Sequence, residues 1–338
     1  MVASTHIAAQ VRLAAMKKRI IILGSIVFAV ILLWSAAWLA GAAYIKQYID
    51  AQALADGVAQ PRLTCGTLNV GGYPFRYDVD CQTAQISSND ILVDVPGVRA
   101  SVRVYAPFHL YLSALGPLQL TDGFTGTRNS VAWSALDASI RLSDWRVARA
   151  SISGKELVWS DTLMGESLIA QSPLAEVHLF DIPEQYDAER NLAALAGYIL
   201  AENVSYPGMT LSDTKAEVQL ELTGLPDDVR NWGDPQILPF IQQAGGVLRV
   251  VSVHGTDADS VLDANGELTL DPQGMLDGTI AIKSVGVAER IGPMLAEPWR
   301  TLVFGTPAAD GSFSNQINFR AGGVFSGLVP IANVPPLF

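Results

Sequence analysis

Twenty-six consecutive residues, Ile20 to Ile45, carry no charge, and they follow directly on Lys17-Lys18-Arg19. As a helix rising 1.5 Å per residue, such a run reaches about 39 Å, enough to cross a hydrocarbon core of about 30 Å with some tilt. Trp34, Trp38 and Tyr44 fall in its second half, where interfacial aromatics fix depth. Arg12 and the basic triplet precede the run; Lys46, Asp50 and Asp56 follow it. The positive-inside rule then predicts a cytoplasmic N-terminus over 1–19 and a single transmembrane anchor over 20–45. A juxtamembrane helix or linker over 46–60 and a large domain over 61–338 follow on the far side. A cleaved signal peptide is the alternative, with Ala40-Gly41-Ala42 as its cleavage site; a signal core usually has about 7–15 apolar residues, fewer than here. Met16-Lys17-Lys18 reads as an alternative start, so Met1 and Met16 both stand.

All 33 acidic residues lie after Lys46, against 17 of the 22 basic ones, so residues 47–338 carry a net charge of −16. Such a surface repels nucleic acid and anionic headgroups at long range, and no nucleic-acid partner is expected. Charged residues make up only 16% and hydrophobic ones 49%, which excludes a disordered tail and points to a packed chain.

Both cysteines lie in one short segment, Cys65 to Cys81, around Gly71-Gly72-Tyr73-Pro74, a turn sequence. After it, Phe75, Tyr77, Val79 and Cys81 alternate with Arg76, Asp78 and Asp80, the period of a half-buried strand. Leu63 to Val70 is a weaker strand before the turn. Folding about Tyr73 sets Cys65 opposite Cys81, close enough to bridge. A Cys65–Cys81 disulfide is therefore expected, in a compartment that permits one.

Beyond residue 85 short alternating runs recur between turns: 92–95, 98–105, 139–144, 156–159, 175–180 and 216–222. The clearest hairpin is Gly266 to Ile282, turning through Pro272 and Gly274. Three segments carry helical spacing instead. Asp187 to Val204 has apolar residues at 192, 195, 196, 199 and 200 behind acidic residues suited to a first turn. Asp234 to Ala244 has Pro235 near its start, and Val287 to Trp299 sets Ile291, Met294 and Leu295 on one side. Tyr44 to Asp56 continues the anchor helix. The fold class predicted is α+β: an N-terminal transmembrane helix, then a large, mainly antiparallel β-sheet domain with a few packing helices.

These residues resemble a bacterial family, domain of unknown function family 2125. The likeness rests on the N-terminal anchor, the Gly72-Tyr73-Pro74-Phe75-Arg76 turn, the Gly-x-Leu-x-Leu-Asp…Gly-x-Leu-x-Gly series at 266–278, and the tail. The tail runs Gly327-Leu328-Val329-Pro330-Ile331, then Pro335-Pro336-Leu337-Phe338. The hairpin series is also similar to AsmA-like envelope proteins, whose long curved sheets are thought to carry lipid between membranes. The resemblance implies an inner-membrane protein with a periplasmic domain, and it implies little about activity, because the family is uncharacterised.

No catalytic signature is present. His6, His109, His178 and His254 are dispersed, and none has a partner at metal-ligand spacing; no metal or cofactor is expected. Gly-x-Ser-x-Gly, P-loop and dinucleotide-binding motifs are missing. Ser153-Gly154-Lys155 lacks nucleophile spacing. The acids at Asp227-Asp228 and at Asp257, Asp259 and Asp263 provide too few ligands for calcium and read as solvated loops. Asn203-Val204-Ser205 is a glycosylation sequon without meaning in most bacteria. Apolar surface is what remains. A broad sheet with few helices leaves a groove, for which Trp133, Trp145, Trp159 and Phe240 are the candidate lining residues, the bland alternative being that they are ordinary core. The expected function is non-enzymatic: binding or transfer of a lipid-like or acyl ligand, or support of envelope homeostasis. The alternative is a scaffold or regulatory module for envelope protein partners.

Overall fold

The computed structural model describes residues 3–58, 60–209, 211–288, 305 and 307–338. Helix α1 (Ala3–Gln52) contains a stretch, Ile21–Gln52, that is long and apolar enough to cross a bilayer. Its surroundings change part-way. Ile21 to Trp34 is exposed throughout, whereas Ser35, Trp38, Gly41, Ala42, Ile45 and Ile49 form one partly or fully covered face. The apolar run is thus divided: its first part is exposed and meets the domain only at its end, where Trp34 donates to Pro74 O, and its second part packs against the domain, with Trp38 only 7% exposed.

Among the described residues the domain is one antiparallel sheet of 17 strands. Its strands are β1 (Arg62–Gly71), β2 (Arg76–Ser88), β3 (Ile91–Arg103), β4 (Ala106–Leu115), β5 (Leu118–Asp122), β6 (Arg128–Ala132), β7 (Ala135–Ser143), β8 (Arg146–Asp161) and β9 (Ser167–Asp181). There follow β10 (Leu192–Tyr206), β11 (Leu211–Pro226), β12 (Val247–Thr256), β13 (Val261–Leu270), β14 (Leu276–Val285), β15 (Phe313–Arg320), β16 (Gly323–Ser326) and β17 (Val329–Asn333). Nearly every strand pairs with its successor. The exception lies between β3 and β8, where β4–β7 fills one half of the gap and the short β5–β6 pair fills the other. Open sheets of more than about 10 strands curl or split. Here the β10–β11 ladder shifts register at a bulge around Asn203 (φ 47°), and left-handed Thr83 (φ 53°) and Glu156 (φ 50°) interrupt their ladders without a shift.

The second helix, α2 (Ile237–Ala244), lies within the expected Asp234–Ala244 segment. Gly245, at φ 74°, ends it in the left-handed conformation that glycine adopts freely. Ile241 rests on Val147, Leu195 and Leu225 in one small core. A second core joins Cys81, Ala84 and Val95.

The Cys65–Cys81 disulfide is formed, with Cα atoms 5.4 Å apart. The residues are not opposed, however: Cys65 pairs with Ala84, and Cys81 with Leu68. Thr83 supplies the difference, since its left-handed backbone lies across from Gly66 and folds the ladder over so that the two thiols meet.

The helix expected over Asp187–Val204 is strand β10. The run Ala193 to Leu200 is apolar at nearly every position, so it satisfies helical and strand periods alike. Pairing with β9 on one side and β11 on the other decides the outcome. The acidic residue that resembled a first helical turn instead closes a loop: Asp187 Oδ1 accepts from the backbone N–H groups of Glu189 and Arg190. The third expected helix, 287–299, lies almost entirely outside the described residues.

The 266–282 hairpin is β13–β14, with Asp271 Oδ1 accepting from Gln273 N and Met275 N in the turn. Gly278, at φ 137°, passes so close to β13 that a Cβ there would overlap the Glu267 carbonyl oxygen. The chain terminus lies beside the same hairpin, Leu337 N donating to Gly274 O.

Candidate functional site

The four expected lining residues do not line one groove. Trp145 and Trp159 lie at opposite ends of β8, separated by at most about 46 Å, the length of a fully extended strand between them. Trp145 sits in the β7–β8 turn, edge-to-face against Phe108 and beneath the Arg230 guanidinium. Trp159 donates to Asn129 Oδ1, and Trp133 lies against Gly116 and donates to Ala114 O. Phe240 faces a small cleft at α2 with Pro226 and Asn231. Each indole has a local role, and none of the four positions supplies a shared surface.

The register of the sheet supplies one instead. Directly opposed residues of antiparallel strands project to the same side. From β1 onward one cross-strand row reads Val70, Val79, Ala100, Leu112, Ala138, Ile152, Val177, Ile199, Val218, Val253, Ala264 and Ile282. Every member is aliphatic. The adjacent row runs from Tyr77 through Leu110, Ile140, Leu179 and Leu220 to Ile317, and is likewise apolar. One face of the sheet is therefore apolar across most of its width.

Among the described residues two helices cover parts of that face. On the β1–β2 side, Trp38 of α1 stacks on Tyr77 with ring centroids 5.4 Å apart, and its Nε1 donates to Arg76 O at 2.9 Å. On the other side α2 lies over the ends of β10 to β12, leaving a cleft of about 190 Å³ lined by Leu222, Leu248, Leu268 and Leu337. Between the helices the face is open: Ile152 is 47% exposed, Val177 38% and Ile199 38%. Water meets this stretch as a continuous hydrocarbon strip.

The opposite face is polar and largely self-satisfied. Its rows include Asp80, Arg99, Ser113, Asp137, Ser153 and Glu176. Arg99 pairs with Asp80 at 2.8 Å, Ser153 donates to Glu176, and His178 Nδ1 meets Ser151 Oγ at 2.9 Å. His254 is bonded to Asp263 at 2.6 Å, as suits a histidine in an alternating strand. A hollow of about 430 Å³ lies on this face over Arg99, Tyr111, Asp137 and Ser139. Among the described residues no group of three or more histidine, cysteine or carboxylate side chains is placed to hold a metal.

A profile of the bacterial family DUF2125, described as an uncharacterized protein conserved in bacteria, matches residues 38–335. The chain belongs to this family. The match begins at Trp38, the residue that joins α1 to the sheet, and it takes in the whole sheet as described. For this DUF2125 chain, neither the curated proteins nor the solved structures contain a match.

Sequence reasoning found the alternation of each strand but not the rows. The signal was present: Val79, Ala100, Leu112 and Ile152 each occupy the apolar phase of their own strand. What joins them is register, and register is set by strand pairing and by bulges, such as the one between Arg141 and Leu142, that no sequence motif marks.

Proposed function

We propose that this DUF2125 chain is a non-enzymatic, single-pass protein of the bacterial inner membrane whose periplasmic domain holds or hands on a lipid-like molecule along the apolar face of its sheet. The observation that carries this reading is the uncovered row Ile152–Val177–Ile199 between α1 and α2. Soluble proteins rarely leave contiguous apolar patches beyond a few hundred Å² exposed unless something binds there. An acyl chain is long, narrow and without polar groups, which suits a strip of aliphatic side chains offering no hydrogen-bonding partner. The basic triplet before Ile20, the acidic domain after it and the disulfide support the assignment of compartments. The likeness of the 266–278 series to AsmA-like proteins favours the same reading.

The rival scaffold reading draws less support from the edges of the sheet. β1, at one edge, has α1 packed along it. β17, at the other, is five residues long and contains Pro330, two devices that hinder strand addition.

Native mass spectrometry of the full chain, released from micelles in the gas phase, tests the proposal. The wild type is expected to retain lipid, and Val177→Glu with Ile199→Glu is expected to lose it. Both positions are more than a third exposed, so neither change requires burying a charge. A wild type without lipid, or one that instead retains a protein chain, would favour the scaffold.

A further inference from the structure

The sheet edge that meets α1 carries a second feature. Antiparallel strands alternate direction, so the β1–β2, β3–β4 and β7–β8 turns all lie along this one edge. They are physically joined. Val104 N donates to Phe75 O at 2.9 Å, and the Phe108 and Trp145 rings meet at 5.6 Å. Tyr73, Phe75, Tyr105, Phe108 and Trp145 are exposed along it, a rim of aromatic rings. The rim is also fixed in height. Trp34 Nε1 donates to Pro74 O at 3.0 Å, and Ser35 Oγ meets Tyr73 Oη at 2.8 Å. With α1 taken as a membrane helix entering at Ile20, Trp34 lies about 21 Å further along it. In a hydrocarbon core of about 30 Å that sets Pro74 in the far leaflet, about 9 Å below its boundary, with the hairpin rising past Trp38 toward the interface.

Cations stand immediately behind the rim. Arg141 of β7 and Arg149 of β8 are directly opposed, and His109 of β4 opposes Arg141. The Arg103 guanidinium lies 5.6 Å over the Tyr111 ring, which packs on His109 at 4.2 Å. Like charges directly opposite in a sheet destabilise it. Other arginines near this edge are neutralised: Arg76 by Asp78, Arg146 by Asp181, Arg230 by Asp228. Among the described residues no ion pair joins Arg103, Arg141 or Arg149 to a carboxylate; Asp144 is the exposed acid of the adjoining turn. The His109 imidazole registers the resulting field, its pKa being depressed by burial and then by Arg141 and Arg103. In a domain of charge −16, three unneutralised arginines at one place call for an anion.

We infer that this edge is a membrane-docking surface, on which the aromatic rim enters the headgroup region and Arg103, Arg141 and Arg149 bind phosphates of anionic phospholipids. Guanidinium groups match phosphate oxygens with paired hydrogen bonds, and aromatic rings favour the interface. The inference rests on the membrane reading of α1 and is independent of what the apolar face carries. Docking would hold the sheet upright on the bilayer, with its apolar face opening beside the helix.

The test uses the full chain with Tyr105→Cys carrying an environment-sensitive dye, in phosphatidylcholine vesicles that contain headgroup-spin-labelled lipid as quencher. Quenching is expected to rise when phosphatidylglycerol is included and to fall with salt. Each arginine replaced by glutamine at 103, 141 and 149 is expected to lower the docked-to-undocked ratio about fivefold. Lysine at the same three positions keeps the charge and is expected to retain most of the docking, which separates lost attraction from lost folding. The same dye at Met164→Cys, 96% exposed at the opposite edge, is expected to remain unquenched. Equal quenching at 105 and 164 would overturn the inference, as would indifference at 105 to both phosphatidylglycerol and the glutamine variants. Displacement by inorganic phosphate at constant ionic strength would also overturn it, by marking a free-anion site. Loss of the chain from vesicles on carbonate washing would remove the membrane reading of α1 and the inference with it. Retained lipid in the native mass spectrum is unaffected by the arginine variants if only docking fails.

Discussion

Trp38 Nε1 donates to the Arg76 carbonyl at 2.9 Å, while the same indole ring lies parallel to Tyr77 at 5.4 Å. Together with the Trp34 and Ser35 contacts to Pro74 and Tyr73, this side chain fixes the height of the first hairpin and the side of the sheet that faces the apolar helix. A buried tryptophan truncated to alanine typically costs about 3–5 kcal/mol. Trp38→Ala is therefore expected to free the domain from α1, and limited proteolysis between residues 46 and 61 should cleave the variant faster than the wild type. Unchanged cleavage would show that the contact does not hold the two parts together.

The disulfide closes a loop of 16 residues next to the smaller core. In the chain-entropy account such a loop stabilises by about 3 kcal/mol. Cys65→Ser with Cys81→Ser should lower the urea midpoint accordingly. Alkylation of the wild type under denaturing, non-reducing conditions should label neither cysteine.

His109 should titrate below its ordinary value of 6.5, because burial and the positive charges of Arg141 and Arg103 disfavour its protonated form. Between that depressed value and 6.5 the folded chain binds fewer protons than the unfolded one. Stability should therefore fall as pH is lowered through this window, and His109 should contribute no pH dependence above it. Proton NMR of the imidazole would show the depressed pKa, and Arg141→Gln should move it upward.

Gly278→Ala should destabilise by more than about 1 kcal/mol, since the position combines φ 137° with contact against the Glu267 carbonyl. Gly71→Ala, where a Cβ meets nothing within 4 Å, is the control. Thermal melts of the two variants would separate a close approach of strands from a general intolerance of glycine replacement.

Much of the fold was legible because the alternation of Phe75, Tyr77, Val79 and Cys81, and that of the 266–282 hairpin, has one interpretation. Asp187–Val204 did not: Ala193 to Leu200 is apolar almost throughout, and only its two sheet neighbours exclude a helix. Trp34 and Trp38 were legible as aromatics of an apolar helix, but their partners Pro74 and Arg76, some 40 residues on, were not. The candidate site was the least legible part. Tryptophans attract attention as lining residues, yet each of these indoles serves a turn or a local hydrogen bond. The aliphatic row has no unusual residue in it at all.

The most direct measurement places a photoreactive p-benzoyl-phenylalanine at Val177 in the membrane-inserted chain, and at Glu176 as its neighbour on the opposite face. The account predicts lipid adducts from position 177 and none from 176. Equal capture of lipid from both positions, or capture of protein alone from 177, would contradict it.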